Sequence, residues 1–242
     1  RLRLNVNELP IKPRTYSSGS EFIDDTHVEI KVIAIDKSDT RFAGVLTYSH
    51  TNRLSGTEVN DLFLFDGFRN GTYFTYDGDD VVIPKTTDAW RTALNTGKGN
   101  DTVFMLCGNV QTGEGDDIID IRAPSTGCSA QVTGGSGSDT YIYRVSQIIG
   151  NTIQILEDIN DGTSRDRLIL PSVNSSAVVS LTTYFDNLGG ETLVLTLPNR
   201  ERIEIMRYFN ASGEPNNTIE EIEFADGEIW DTKKVIALLK KA

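Results

Sequence analysis

Three short loops in the middle of the chain share one pattern of glycine and aspartate, and they constrain the fold more than any other feature. Each loop has glycines two and four residues before an aspartate and leads directly into an apolar segment: Thr96–Asp101, Thr112–Asp117 and Gly134–Asp139. Glycine permits the backbone angles that let carbonyl groups converge. Carbonyl and carboxylate oxygens together are the ligands that Ca²⁺ prefers. The pattern therefore predicts an array of calcium-binding loops.

The loop aspartates mark a longer repeat, in which two degenerate copies precede the three good ones. The five marker aspartates are Asp61, Asp80, Asp101, Asp117 and Asp139, at spacings of 19, 21, 16 and 22 residues. The residue two positions beyond each marker is apolar in every copy: Phe63, Val82, Val103, Ile119 and Tyr141. One coil of a parallel β-roll, two nine-residue repeats long, takes about 18 residues. The spacing therefore predicts one calcium loop per coil and a single column of stacked loops.

The predicted fold is all-β. It is a parallel β-roll (a right-handed β-helix) with stacked calcium loops, flanked by an N-terminal β region and a C-terminal antiparallel β region with one short terminal helix. The predicted boundaries are residues 1–54, 55–145 and 146–242. By the marker criterion the repeat stops at Asp158, because the residue two positions further on is Asn160. Apolar alternation predicts antiparallel strands over residues 177–185 and 192–197 and a hairpin over 222–230, and Asp231 is expected to cap the closing helix.

Stacking brings the marker aspartates of adjacent coils close together, because neighbouring strands of a sheet lie about 4.8 Å apart. Their charges repel unless a cation lies between them. We expect calcium ions between the 101 and 117 loops and between the 117 and 139 loops, a weaker ion between the 80 and 101 loops, and Glu157 or Asp158 at the upper end. The predicted metal ligands are Gly78, Asp80, Gly97, Gly99, Asn100, Asp101, Gly113, Gly115, Asp116, Asp117, Gly135, Gly137, Asp139 and Asp158.

The loops resemble the glycine- and aspartate-rich repeats of RTX (repeats-in-toxin) proteins, the haemolysin-type calcium-binding group. The resemblance covers roughly residues 95 to 235, including downstream segments at 139–143, 152–158, 166–170 and 219–230. The chain departs from the family in having one good loop per coil instead of two, which leaves a second calcium column unsupported. The resemblance implies a C-terminal module of a large secreted bacterial toxin or related exoprotein, exported by type I secretion machinery and folded by calcium outside the cell.

Composition agrees with a calcium-binding module outside the cell. The net charge of −12 disfavours nucleic acid and anionic membrane surfaces as partners, and no apolar run approaches the length of a transmembrane segment. Extracellular calcium modules bind weakly, with dissociation constants of about 10⁻⁴ to 10⁻³ M, so they are empty in the cytosol and filled outside. Because the chain begins with Arg1 and without the apolar stretch of a signal peptide, we expect it to be a fragment or processed product of a longer protein.

The sequence contains no recognisable catalytic motif. The two histidines, His27 and His50, do not form an HExxH zinc motif, and there is no G-x-S-x-G nucleophile elbow. Gly97 and Lys98 are followed by Gly99, where a phosphate-binding loop needs serine or threonine. We therefore expect a module that is not an enzyme.

The two cysteines lie at nearly equivalent positions of neighbouring coils. Cys107 and Cys128 precede the markers Asp117 and Asp139 by ten and eleven residues, which places them within disulfide reach. An oxidising exterior favours the bond. The alternative is a pair of buried free thiols.

A second function remains open from the sequence: recognition of a host cell-surface receptor or glycan. Aromatic side chains are enriched at such binding sites, and four of them lie in the C-terminal region: Tyr184, Phe185, Tyr208 and Phe209. The alternative for these residues is packing in the C-terminal core.

Overall fold

The computed structural model describes residues 53–65, 71–84, 93–105, 108–122, 129–145, 150–157, 164–186, 189–216 and 219–241. Within these ranges, strands that follow each other along the roll lie alternately in two sheets. In spatial order, sheet A contains β1 (Arg53–Ser55), β3 (Thr72–Phe74), β5 (Ala93–Lys98), β7 (Gly108–Glu114), β9 (Ser129–Ser136), β11 (Thr152–Leu156), β15 (Arg202–Phe209), β14 (Glu191–Thr196) and β13 (Ser180–Phe185). Sheet B contains β17 (Ile229–Asp231), β16 (Glu221–Phe224), β12 (Arg167–Leu170), β10 (Thr140–Arg144), β8 (Ile118–Arg122), β6 (Thr102–Met105), β4 (Val81–Pro84) and β2 (Leu62–Phe65).

Strand pairing within each sheet is parallel over most of its width. Sheet A is parallel from β1 to β15 and sheet B from β2 to β16. From β1 to β12, each odd-numbered strand of sheet A is followed along the chain by an even-numbered strand of sheet B, so two strands make one coil. The predicted all-β parallel roll is therefore confirmed. Apart from residues 53 and 54, the N-terminal β region predicted over residues 1–54 lies outside the described residues.

The core lies between the two sheets, where equivalent apolar side chains of successive coils stack in rows. The sheet B row, in register, is Phe63, Val82, Val103, Ile119, Tyr141, Leu168 and Ile222. The sheet A row is Tyr73, Leu94, Val110, Val132, Ile155, Ile205 and Leu193. All are buried. Burying one such side chain contributes about 1.5–3 kcal/mol, and a coil gains it only when neighbours cover it.

The C-terminal region ends both sheets with antiparallel strands, as predicted. β13 pairs with β14 and β14 with β15 in sheet A, and β17 closes sheet B through a hairpin with β16. Helix α1 (Thr232–Leu239) follows, and the Asp231 carboxylate caps it by accepting the N–H of Lys234 at 2.7 Å. Short 3₁₀ turns occupy Ser175–Ala177 and Pro198–Arg200. In the described part of the chain, no helix is both long enough and apolar enough to cross a membrane.

The loop glycines allow the coils to approach closely. Gly113 and Gly115 have φ angles of 111° and 138°, in the region that favours glycine. A Cβ atom at Gly113 would overlap the carbonyl oxygen of Gly97, and one at Gly115 would overlap that of Gly99. The same overlap would occur with the preceding coil at Gly97, Gly99, Gly135 and Gly137. Both backbone angle and coil spacing therefore require glycine here.

Replacing Gly115 with alanine should destabilise the fold more than the same change at Gly213. Both residues have positive φ, but a Cβ at Gly213 meets nothing within 4 Å. The difference between the two variants reports the clash with the preceding coil together with the greater backbone strain of a side chain at a φ of 138° than at 76°. We expect Gly115→Ala to lower the free energy of unfolding in saturating Ca²⁺ by roughly 1–3 kcal/mol more than Gly213→Ala, the scale of one strained backbone position. Equal losses in urea unfolding would contradict the close contact between coils.

Candidate metal centre

The glycine-containing loops stack directly on one another at one edge of the roll. The N–H of Gly78 donates to the carbonyl of Lys98 at 2.7 Å, and the N–H groups of Gly99 and Gly115 donate to Glu114 and Ser136 at 2.8 Å. Each bond joins one coil to the next. The predicted single column of stacked loops is therefore present.

The marker aspartates point into the turn and form a ladder of hydrogen bonds between coils. The Oδ1 atom of Asp101 accepts the N–H of Asp80 at 2.8 Å, and Oδ1 of Asp117 accepts the N–H of Asp101 at 2.7 Å. The same bond joins Asp139 to the N–H of Asp117 at 2.9 Å and Asp80 to the N–H of Asp61 at 2.7 Å. Each carboxylate thus binds the backbone of the coil before it.

The residues just before the markers form a second ladder in the opposite direction. Oδ1 of Asn100 accepts the N–H of Asp116 at 2.8 Å, and Oδ1 of Asp116 accepts the N–H of Ser138 at 2.8 Å. These side chains bind the coil after their own. Asn100 and Asp116 are exposed, whereas the adjacent markers are buried. The marker aspartates and the residues just before them, both predicted as metal ligands, therefore differ in burial and in the coil to which they bind.

Four buried carboxylates leave their second oxygen without a hydrogen bond. The Oδ2 atoms of Asp80, Asp101, Asp117 and Asp139 accept no hydrogen bond from the described residues. We call these four side chains the carboxylate column. The nearby Thr96 hydroxyl donates instead to the carbonyl of Thr112 at 2.9 Å, and the Thr112 hydroxyl to that of Gly134 at 3.0 Å. A buried anionic oxygen without a partner is costly unless a proton or a cation neutralises it.

Burial changes the acidity of the column. It raises the pKa of Asp80 and Asp139 to about 7 and the pKa of Asp101 to about 8, against an ordinary value of 3.8. It also raises the pKa of Asp117. The nearby hydroxyls of Thr75 and Thr96 lower the pKa values of Asp80 and Asp101, and backbone N–H groups of the preceding coil lower all three, but less than burial raises them. Neighbouring aspartates raise these pKa values further. Asp80, Asp101 and Asp139 therefore retain protons near neutral pH when no cation is bound.

The first, degenerate loop shows what happens when the glycine pattern is lost. Thr57 and Val59 replace the two glycines there. The Oδ2 atom of Asp61 accepts the N–H of Thr57 at 2.7 Å and lies 3.1 Å from its hydroxyl. Asp61 therefore satisfies its second oxygen within its own loop. The unpaired oxygens occur where the glycines are present or partly kept, which fits metal ligands better than turn residues.

The carboxylate column fits a hard cation such as Ca²⁺. Its donors are oxygens that ionised carboxylates supply, one from each coil, and the loops that carry them contain Gly78, Gly97, Gly99, Gly113, Gly115, Gly135 and Gly137. The structure brings Asp80, Asp101, Asp117 and Asp139 together with these glycines, whose carbonyls stay predicted ligands. Asp158, Cys107 and Cys128 lie outside the described residues, so Asp158 as a ligand and the disulfide stay predictions. Glu157, the alternative at the upper end, is described and buried.

The ladder extends beyond the point at which the marker criterion ended it. Oδ1 of Asp166 accepts the N–H of Asp139 at 2.8 Å, and Oε2 of Glu220 accepts the N–H of Asp166 at 2.7 Å. Asp166 is followed two positions later by the buried Leu168, and Glu220 by Ile222. This alternation is visible in the sequence. Asp166 does not meet the marker criterion because it lies 27 residues after Asp139, outside the regular spacing. Glu220 does not meet it because it is a glutamate in place of an aspartate.

Comparison with known proteins supports calcium as the ion. The family model described as "Haemolysin-type calcium binding protein related domain" matches residues 193–234, which include β15, β16 and Glu220. No curated protein matches the chain. Among solved structures, the extracellular lipase LipA from Serratia marcescens aligns at 10% identity and a TM-score of 0.21, over 69% of this chain and 40% of the lipase. The chain therefore carries a segment similar to haemolysin-type calcium-binding proteins.

Adjacent aspartates offer a matched test of the column. Asp117→Asn keeps the bond to the N–H of Asp101 but replaces Oδ2 with an amide, whereas Asp116→Asn removes the same charge from the exposed ladder. We expect Asp117→Asn to weaken calcium binding by on the order of 10-fold to 100-fold, the range that even outer-shell ligand partners show. Asp116→Asn should change it far less. Calorimetric titration measures both, and equal effects would refute the assignment of Asp117 as the ligand.

The raised pKa values predict how the calcium-free protein responds to pH. An acid whose pKa is higher in the folded state binds more protons when folded, so the stability it contributes is present below its unfolded pKa and is lost as pH rises through its folded pKa. For Asp80, Asp101 and Asp139 this window runs from about pH 4 to about pH 8.

We therefore expect the folded fraction of calcium-free protein, measured by circular dichroism, to fall as pH rises from 5 to 8. Saturating Ca²⁺ should remove or reverse this trend, because the ion requires ionised carboxylates. The variant Asp101→Asn should show a smaller pH dependence. A calcium-free protein that becomes more stable as pH rises would contradict the pKa values.

Proposed function

We propose that the chain is a non-catalytic calcium-binding module that folds when it meets Ca²⁺ outside the cell. The carboxylate column carries this proposal, because four successive coils each bury an aspartate oxygen that accepts no hydrogen bond from any residue the structure describes. The haemolysin-type match over residues 193–234 supports the choice of calcium. The proposed role is a response to the ion, not a covalent reaction.

Charge explains the response. When the column is ionised and empty, its members repel each other and each one bears the cost of burial. Calcium held by Asp80, Asp101, Asp117 and Asp139 would reverse both effects. An ion that binds the folded state alone stabilises it by RT ln(1 + [L]/Kd), so each ten-fold excess of ion adds about 1.4 kcal/mol per site. The chain would therefore remain unfolded at cytosolic calcium and fold at extracellular calcium.

Secretion follows from this proposal. An acidic array that is disordered without calcium stays extended enough to be threaded through a secretion channel. The RTX resemblance points to the type I machinery and to a secreted bacterial toxin or related exoprotein as the parent. The module would then support the export of that protein and its stability outside the cell.

For the alternative function, recognition of a receptor or glycan, burial reduces the four candidate aromatic residues to two. Tyr208 and Phe209 are 0% and 5% exposed and pack in the core, whereas Tyr184 and Phe185 are 37% and 69% exposed. Tyr184 and Phe185 lie at the end of β13, an edge strand of sheet A. A glycan array probed with and without chelator tests this alternative, and Tyr184→Ala and Phe185→Ala are the variants that should abolish any retention.

Calcium titration tests the main proposal. We expect the calcium-free chain to gain β-strand signal in far-UV circular dichroism and to release or absorb heat as Ca²⁺ is added. The double variant Asp101→Asn/Asp117→Asn should require much more calcium for the same transition, because it removes two ligand charges from the column. The control Asp79→Asn/Asp116→Asn removes the same charge from the exposed ladder and should fold close to wild type. If added Ca²⁺ produces no heat and no spectral change in the wild type, the proposed function is refuted.

A further inference from the structure

Three buried carboxylates meet where the roll joins the C-terminal region. Oxygen atoms of Asp139, Glu157 and Asp166 lie within 4.8 Å of one another, and the residues are 0%, 2% and 5% exposed. Asp139 and Asp166 are consecutive members of the marker ladder. Glu157 comes from the end of β11 in the opposite sheet. We call these three residues the junction cluster.

Glu157 occupies a position that other coils fill with threonine. Thr75, Thr96 and Thr112 occupy equivalent positions at the start of successive loops, and each hydroxyl donates to a carbonyl of the next coil. Gly134 occupies the same position in the coil after Thr112. The register of β9 and β11 pairs Val132 with Ile155, which puts Glu157 opposite Gly134. Where the other coils place a hydroxyl that donates to the next coil, this coil therefore places a second acid. The coil formed by β11 and β12 thus supplies two carboxylates, Glu157 and Asp166, and Asp139 of the preceding coil adds a third.

The neighbouring residues leave room for this extra acid and form hydrogen bonds around it. Gly134 has no side chain, and a Cβ there would overlap the Asp139 carboxylate. The hydroxyl of Tyr141 takes up that space, 2.7 Å from the N–H of Gly134, and it also hydrogen-bonds Glu157. The cluster is thus enclosed by neighbours that fit around it, unlike a group of acids on an exposed surface.

The charges in the cluster all have the same sign. The charged groups that act on Glu157 are Asp166 and Asp139, and those that act on Asp139 are aspartates. The Oδ2 atom of Asp139 is buried and accepts no hydrogen bond from the described residues. Three buried anions at this separation repel strongly unless protons or a cation neutralise them.

We propose that Asp139, Glu157 and Asp166 form a divalent-cation site, separate from the loop sites below it, that joins the roll to the C-terminal region. Three carboxylates supply hard oxygen ligands, which suit Ca²⁺. The site differs from the loops because Glu157 provides a side-chain ligand from the threonine position. The inference rests on the proposed function for the identity of the ion, but not for the existence of the cluster.

The site would link the roll to the segment that resembles haemolysin-type proteins. The N–H of Asp166 donates to Glu220 at 2.7 Å, and the carbonyl of Asp166 accepts the N–H groups of Glu220 and Glu221 at 3.0 and 3.2 Å. Both glutamates lie within the matched residues 193–234. An ion held by Asp166 would therefore fix this segment against the last loop of the roll.

Counting bound calcium ions tests the inference. Glu157→Thr installs the residue found at the equivalent position of three other coils, and Glu157→Gln keeps the shape of the side chain but removes its charge. We expect calorimetric titration of each calcium-free variant to show one equivalent of Ca²⁺ fewer than the wild type. Glu228→Gln, which removes the same charge from an exposed turn, should keep every equivalent.

The outcomes separate this site from the carboxylate column. If Asp101→Asn/Asp117→Asn loses calcium but either Glu157 variant keeps the full number of equivalents, the junction site is refuted and the proposed function stands. If the Glu157 variants lose one equivalent while Asp101→Asn/Asp117→Asn loses none, the junction site stands and the column is refuted as a calcium site. The Glu157 variants should give the same far-UV circular dichroism spectrum as the wild type in saturating Ca²⁺. This control shows that a variant that binds one equivalent fewer is still folded.

Discussion

The hydrogen bond from a backbone N–H to the buried aspartate of the following coil is the interaction on which the rest of this structure depends. Backbone groups in a turn lose the partners that a sheet provides, and here Asp101, Asp117 and Asp139 supply them from above. The same bond keeps a carboxylate out of water, and the other oxygen of that carboxylate accepts no hydrogen bond within the described part of the chain. What holds the coils together thus also creates the need for a neutralising cation. Stacking and the proposed ion binding therefore depend on one arrangement.

Close packing of the loops depends on a second constraint, the missing side chains of the glycines. A Cβ on either glycine of a loop would collide with a carbonyl oxygen of the coil before it. The degenerate loops show how this constraint can be relaxed. Tyr76 occupies a glycine position with a φ of 69°, and Thr57 occupies another where Asp61 bonds within its own loop. The first coil therefore stacks without an unpaired oxygen, and the column begins at Asp80.

Much of the fold could be predicted from the sequence, because the repeat encodes it locally. The apolar residue two positions beyond each marker lies in the core in all five copies, and the register pairs these residues in order. The hairpin at residues 221–231 and the cap at Asp231 also follow from short-range signals. These features depend on neighbours in the chain or on a regular period, so no tertiary knowledge is needed to find them.

The candidate site could be predicted only in part, because its chemistry depends on which way each side chain points. Asp116 and Asp117 are adjacent acids, yet one is exposed and binds the coil above while the other is buried and binds the coil below. Asp166 does not fit the marker spacing, because it lies 27 residues after Asp139 instead of 16 to 22. Glu157 is one of the two residues predicted at the upper end of the loops, but its place beside Asp166, with β11 ending opposite Gly134, is a fact of register that its sequence position does not reveal.

The alternation of strands between two sheets has a mechanical consequence. Each coil touches only the coil before it and the coil after it, as in other solenoids. A pulling force applied along the stack would load the interfaces in series, so the weakest one would yield first while the others kept their bonds. The chain would then extend in steps, one coil at a time, and its resistance at each step would depend on how firmly that one interface is held.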